Sequence, residues 1–246
     1  MKIYLGDIRE YTTGYLASLV DGKRVERSMK YRFEADRKRS LMAHVLLNLA
    51  VKEECPDISL PVMTSEDENG RPLLDHIPGL DKFRFSLSHS GDYAVCAVNG
   101  APVGVDIEVI GKDGDKIARR FFAEDELKYI YNAESFCHIW TLKESFMKAV
   151  GLGMKLPMDA FSVADYDENT GICRYISTGD ISSCTDAAVR DSLIPYLNRQ
   201  TGEFSITGKC VTFENDYSLA VASSLLMPDD IRIINYSVSA TQASSV

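Results

Sequence analysis

The run Gly104-Val105-Asp106-Ile107-Glu108 restricts this chain more than any other stretch of its 246 residues. Alternation of apolar and acidic side chains has the period of a β-strand, whose successive residues point to opposite faces. Val103, Val105, Ile107 and Val109 therefore enter a core, while Asp106 and Glu108 share the other face. Along the strand the two carboxylates stand roughly 6.5–7 Å apart. Like charges so placed repel unless water screens them or a cation lies between them. Hard carboxylate oxygens suit Mg²⁺, which keeps several waters and accepts phosphates as further ligands. An amphipathic edge strand with its acids in solvent explains the same five residues equally well.

The same alternation sets a strand at Lys82–Ser88, with Phe83, Phe85 and Leu87 on one face and Arg84, Ser86 and Ser88 on the other. Tyr93–Val98 is a second strand, and the Asn99-Gly100 turn predicts a hairpin into Val103–Ile110. Upstream, Lys2–Leu5 reads as a strand and residues 25–50 as a helix with Leu41, Val45, Leu46 and Leu49 on its apolar stripe, ended by Cys55-Pro56. Thr64–Pro72 reads as a surface loop. A helix carrying Phe121, Phe122, Leu127 and Ile130 precedes a longer one over 135–150, closed by Gly151. Short strands follow at Phe161–Val163, Ile172–Ile176, Glu203–Ile206, Cys210–Phe213 and Ser218–Ser223. Asp92–Val98 and Asp216–Ala222 echo one another, which hints at two related halves; Thr178–Gln200 carries no chemical motif.

Two further constellations can carry chemistry. On a helix Trp140, Glu144 and Lys148 stack on one face with Lys143 beside Glu144, although Glu followed by Lys four residues on is also a common solvated pair. In Phe85-Ser86-Leu87-Ser88-His89-Ser90-Gly91, hydroxyls, an imidazole and flexible backbone at a strand end can hold phosphate; polar surface is the plain alternative. No G-x-x-x-x-G-K-[ST] or G-x-S-x-G sequence occurs, and the four histidines lack zinc-ligand spacing.

The net charge of −9 argues against a general nucleic-acid binder. It is uneven, since residues 23–39 carry eight Lys/Arg against three Asp/Glu. That stretch is either a solvated helix face or a collar for an anion. Apolar runs such as Ala94–Val98 are far shorter than the ~20 residues a membrane span needs, and the N-terminus MKIYLGDIREY has no signal-peptide pattern. Six cysteines without a C-x-x-C pair read as free thiols of a cytoplasmic protein.

Taken in order, the basic N-terminal helix, Gly70-Arg71-Pro72, Phe85–Ser90, Gly104–Glu108 and Trp140-Thr141-Leu142-Lys143-Glu144-Ser145-Phe146-Met147-Lys148 closely resemble the Sfp-type 4′-phosphopantetheinyl transferases. The resemblance runs motif by motif over residues 1–165 and rests on strand pattern beyond. It implies an α+β fold of two pseudo-symmetric lobes, 1–102 and 103–246, each a small mostly antiparallel sheet packed with a long helix. The expected molecule is a monomer with coenzyme A between the lobes. By match to the motifs, Asp106, Glu108 and Glu144 would hold Mg²⁺ against the diphosphate. Ser88 and His89 would touch the 3′-phosphate, Arg71 the same nucleotide, and Arg24, Arg27 and Arg39 would complete the anionic collar.

The chemistry so implied moves the phosphopantetheine arm onto a serine of an apo acyl or peptidyl carrier protein and releases 3′,5′-ADP. Glu144, directly or through a metal-bound water, would take the serine proton, Lys148 would stabilise or protonate the leaving phosphate, and Lys143 would assist on the diphosphate. An acidic enzyme meeting an acidic carrier needs a local basic and apolar surface, for which Phe121-Phe122 and the 111–120 loop are candidates. Hydrolysis of a nucleotide diphosphate is a rival within enzymes, and a coenzyme A sensor without turnover is a rival outside them.

Overall fold

The computed structural model describes residues 1–75, 77–111, 114–179, 181, 186–225 and 231–237. Its strands are β1 (Lys2–Asp7), β2 (Thr64–Glu66), β3 (Pro72–Leu74), β4 (Arg84–Ser90), β5 (Tyr93–Asn99), β6 (Val103–Val109), β7 (Phe161–Asp167), β8 (Ile172–Ser177), β9 (Glu203–Phe213), β10 (Tyr217–Ser223) and β11 (Arg232–Tyr236). The α-helices are α1 (Thr13–Ser18), α2 (Gly22–Ser28), α3 (Glu34–Glu54), α4 (Asp115–Phe121), α5 (Ala133–Ala149) and α6 (Ala187–Leu193). One sheet has the order β11-β1-β5-β4, another β6-β10-β9-β8-β7, and β2 and β3 form a separate small hairpin.

Each sheet carries its long helix on one face. In the first lobe α3 sets Leu41, Met42, Val45 and Leu46 against Ala94, Cys96 and Val98 of β5. In the second, Ile139, Leu142 and Phe146 of α5 meet Phe161, Tyr175, Phe204, Ala220 and Ala222. The opposite faces close on each other: Ile3, Leu5, Tyr93, Val95 and Ala97 pack with Val103, Val105, Ile107, Leu219 and Val221. The central strands β5 and β10 are covered on both sides, which is why their sequences are nearly unbroken apolar runs. The echo between Asp92–Val98 and Asp216–Ala222 thus marks an interior strand next to the edge of each sheet, and the Tyr93 and Tyr217 rings meet edge to face at 5.1 Å.

Several expectations change. The predicted hairpin between β5 and β6 does not form, because β1 and β4 occupy both edges of β5 and the chain crosses to the second sheet, where β6 pairs with β10. The basic helix breaks at residues 29–33 into α2 and α3. The loop over Thr64–Pro72 contains part of the β2–β3 hairpin, and the two short strands expected over 203–213 are one. The second lobe does not keep the whole of 103–246, since β11 returns to pair in parallel with β1. Cys55, Cys96, Cys137, Cys173 and Cys210 are free thiols as expected; Cys184 lies outside the described residues. Among the described residues no helix is long and apolar enough to cross a membrane.

Candidate active site

The placement of α5 on β6 begins with a glycine. A Cβ on Gly104 would collide with the carbonyl oxygen of Ser145 and the backbone nitrogen of Ala149. Its absence lets the helix backbone lie on the strand, which brings Glu144 and Lys148 beside Asp106 and Glu108. The helix starts on an Asn132–Ser135 capping box, in which Ser135 N–H donates to Asn132 Oδ1 at 2.7 Å and Asn132 N–H to Ser135 Oγ at 3.0 Å. It ends before Gly151, whose φ of +80° suits a residue without Cβ.

Trp140, Glu144 and Lys148 line a cleft of about 400 Å³ between the lobes, as do Asp106 and Glu108. Lys148 Nζ donates to Asp106 Oδ1 at 2.7 Å, to Ser88 Oγ at 3.1 Å and to the Val105 carbonyl at 3.1 Å. Ser88 Oγ donates to Asp106 Oδ1 at 2.8 Å, and Ser90 Oγ to Glu108 Oε2 at 2.7 Å. Burial pushes the Glu144 carboxyl up to about 6, with Asp106 and Glu108 adding repulsion and Lys148 opposing it. Burial, and then Asp106, also raise Glu108.

The cleft also carries basic groups. Arg24 and Arg27 from α2, His44 from α3 and His89 from β4 line it. Glu66 of β2 pairs with Arg27. Burial and the neighbouring charge of Arg27 lower the Arg24 guanidinium, and its Nε is buried without a partner. Desolvation, then Arg39 and Lys148, disfavour the charged form of His89. His44 is 8% exposed and was not foreseen as a site residue. Its one warning in the sequence is position, a histidine inside the otherwise apolar run Leu41–Leu47. Burial first, and Arg24 second, push its imidazole down to about 3.

Four expected site residues are placed differently. Lys143 does not reach the cleft. Its fully buried ammonium donates to Glu126 Oε1 and Oε2 at 2.6 and 2.8 Å and to the Phe161 carbonyl at 2.7 Å, and lies 4.1 Å from the Phe161 ring centroid. One residue step on a helix is about 100°, which turns Lys143 into the lobe's core while Glu144 faces the cleft. Ser88 is grouped with the acids, because its hydroxyl is engaged with Asp106 and Lys148. Arg71 lies against the end of α5, where a Cβ on Gly151 would meet its Nη1 at 2.8 Å, and lines the groove beside the cleft. Arg39 is not among the lining residues and is bonded to the Gly91 carbonyl and Asp36. Of the expected surface patch, Phe121 is exposed beneath Arg120, but Phe122 is buried against Phe136 and Trp140. Lys112 and Asp113 lie outside the described residues.

Residues 102–222 match the family model of the 4′-phosphopantetheinyl transferase superfamily, and residues 10–101 match that of the 4′-phosphopantetheinyl transferase N-terminal region. The 4′-phosphopantetheinyl transferase ffp of Bacillus subtilis is 32% identical over 162 residues, 63% of this chain and 71% of that protein. The chain belongs to the 4′-phosphopantetheinyl transferase superfamily. Sfp of Bacillus subtilis strain 168 is 32% identical over 152 residues, 59% of this chain and 66% of that protein. The L-aminoadipate-semialdehyde dehydrogenase-phosphopantetheinyl transferase of Mus musculus is 31% identical over 153 residues, 54% of this chain and 48% of that protein. This chain is therefore an Sfp-type phosphopantetheinyl transferase, an enzyme with the two-lobed α+β architecture of its family.

Among the described residues no three His, Cys, Asp or Glu side chains are already drawn together around a common metal position. The donor set nevertheless fits a hard divalent cation. Asp106 is 3% exposed, and its Oδ2 is buried without a hydrogen-bond partner. Three carboxylates share one cleft; burial first, and then their mutual repulsion, raise Glu144 and Glu108, and a cation would relieve the repulsion.

Proposed function

We propose that this transferase moves the 4′-phosphopantetheine of coenzyme A onto a serine of an apo acyl or peptidyl carrier protein, with Mg²⁺ bound by Asp106, Glu108 and Glu144, and releases 3′,5′-ADP. The observation that carries this is the lining of one cleft, which brings the Arg24 and Arg27 guanidiniums and the His44 and His89 imidazoles together with Asp106, Glu108, Glu144 and Lys148. Coenzyme A offers matching groups, a 3′-phosphate and a diphosphate carried by one nucleotide. Next to Lys148 the cleft continues into a groove of about 190 Å³ lined by Pro72, Phe85, Leu87 and Gly151, which suits the pantetheine arm.

Bound Mg²⁺ supplies positive charge to the diphosphate oxygens. The carrier serine Oγ attacks the β-phosphorus, the bond from that phosphorus to the bridging oxygen breaks, and the electron pair leaves with 3′,5′-ADP. Glu144, which lines the cleft beside Lys148, takes the serine proton. Lys148 presents its ammonium to the leaving phosphate, held in place by Asp106 and Ser88.

The cleft is built from residues on both sides of the 102/103 boundary of a single chain, which supports a monomer that works with two lobes. The free thiols accord with a reducing, cytoplasmic setting. The carrier would dock on α4, where Ile117 and Phe121 are exposed among Lys116, Arg119 and Arg120. Incubation with coenzyme A, Mg²⁺ and an apo carrier, followed by intact-mass measurement of the carrier, tests the proposal. A gain of one phosphopantetheine is expected. Release of nucleotide from an unmodified carrier would favour diphosphate hydrolysis, and tight coenzyme A binding without turnover would favour a sensor.

A further inference from the structure

The edge strand β4 meets β6 of the other lobe through side chains. Val105 N–H donates to Ser86 Oγ at 3.1 Å, Ile107 N–H to Ser88 Oγ at 3.4 Å and Val109 N–H to Ser90 Oγ at 3.2 Å. Three hydroxyls at period 2 thus stand where a neighbouring strand would offer carbonyls. A hydroxyl that accepts an N–H still has one proton to donate. At Ser88 that proton goes to Asp106 Oδ1 and at Ser90 to Glu108 Oε2. Ser86 makes the same seam bond, but Gly104 places no acid at the corresponding position of β6.

We propose that Ser88 and Ser90 are positioning residues for the cation site, each turning one oxygen of its acid toward β4 and leaving the other for the metal. The orphaned Oδ2 of Asp106 is the counterpart of the capped Oδ1. Because the serines belong to the first lobe and the acids to the second, metal affinity is tied to the lobes staying in register along this seam. Residues that orient ligands in this way typically contribute 10–100-fold to metal affinity. The inference rests on the cation site proposed above.

The test is Mn²⁺ titrated into the full chain, alone and with coenzyme A present, followed by electron paramagnetic resonance. Wild type, Ser90→Ala, Ser90→Thr, Ser86→Ala and Asp106→Asn are compared, with thermal unfolding of each. Ser90→Ala is expected to bind Mn²⁺ about 10–100-fold more weakly, Ser90→Thr to restore binding, and Ser86→Ala to lose stability but keep wild-type affinity. Asp106→Asn should lose the site. Wild-type Mn²⁺ affinity in Ser90→Ala, or equal weakening in Ser86→Ala, would overturn the positioning role while the cation site stands. Absence of Mn²⁺ binding in wild type under both conditions would overturn the cation site and this inference with it.

Discussion

Lys148 Nζ stands 2.7 Å from Asp106 Oδ1, so the long helix of the second lobe is joined by an ion pair to the strand beneath it at the wall of the cleft. The ammonium is fixed by an acid, a hydroxyl and a carbonyl, while the side chain is 27% exposed and lines the cleft. A charge held in place before the substrate arrives stabilises developing negative charge without reorganisation. Lys148→Ala is expected to lower carrier modification about 10²–10³-fold under conditions where the variant is fully folded. Turnover at the wild-type rate would remove Lys148 from the chemistry.

Lys143 is expected to behave in the opposite way. Desolvation works against both charges of the Lys143–Glu126 pair, and Glu126 also accepts from Val163 N–H at 2.6 Å and Ala123 N–H at 2.9 Å. Removing one partner strands the other in the core. Lys143→Ala should cost about 3–5 kcal/mol in urea unfolding, with activity lost in proportion to unfolded protein. A stable but inactive variant would return Lys143 to the active site.

Gly104 predicts a coupling of packing to activity. Any Cβ at this position pushes Ser145 and Ala149, and with them Glu144 and Lys148, away from Asp106 and Glu108. Gly104→Ala should destabilise by about 1–3 kcal/mol or more and reduce turnover even under conditions where the variant is fully folded. Unchanged activity with unchanged stability would show that α5 does not need this approach.

His44 gives a pH dependence. Its folded affinity for protons, near 3, lies below the usual 6.5, so the unfolded chain binds more protons between those values. Stability from this group is complete above pH 6.5 and falls as pH drops toward 3. Between pH 7 and 5 the loss is about 2 kcal/mol. Denaturant unfolding at the two pH values should show His44→Gln losing less than wild type by that amount. Equal losses would mean that His44 is charged in the fold.

The docking face on α4 is tested by kinetics. Phe121 is 46% exposed and lies under Arg120, whose carbon Cζ is 5.1 Å from the ring centroid. Phe121→Ala is expected to raise KM for the carrier about 5–30-fold, a loss of 1–2 kcal/mol, and to leave coenzyme A affinity unchanged. An unaltered carrier KM would place docking elsewhere.

Periodicity made the central elements legible. The alternation at 103–109 put Val103, Val105 and Ile107 in the core, although Val109 at the strand end is 41% exposed, and the i, i+4, i+8 spacing put Trp140, Glu144 and Lys148 on one cleft-lining face. What it missed involves partners remote in sequence. Nothing local to Ser86, Ser88 and Ser90 says that their hydroxyls receive N–H groups from another lobe's strand, and nothing local to Arg232–Tyr236 says that it returns to β1. The Asn99-Gly100 turn was read as a hairpin because local signals cannot tell whether a strand's edges are already taken. For Lys143 the helical step past Glu144 held the needed information, but proximity to the motif was given more weight than direction.

The most direct measurement is the intact mass of an apo carrier after incubation with coenzyme A and this enzyme, with Mg²⁺ or with a chelator, and with Asp106→Ala in parallel. A one-phosphopantetheine gain at the carrier serine is expected only for wild type with Mg²⁺. Undiminished modification by Asp106→Ala, or an unmodified carrier with the wild-type enzyme and Mg²⁺ across several apo carriers, would contradict metal-supported transfer in this cleft.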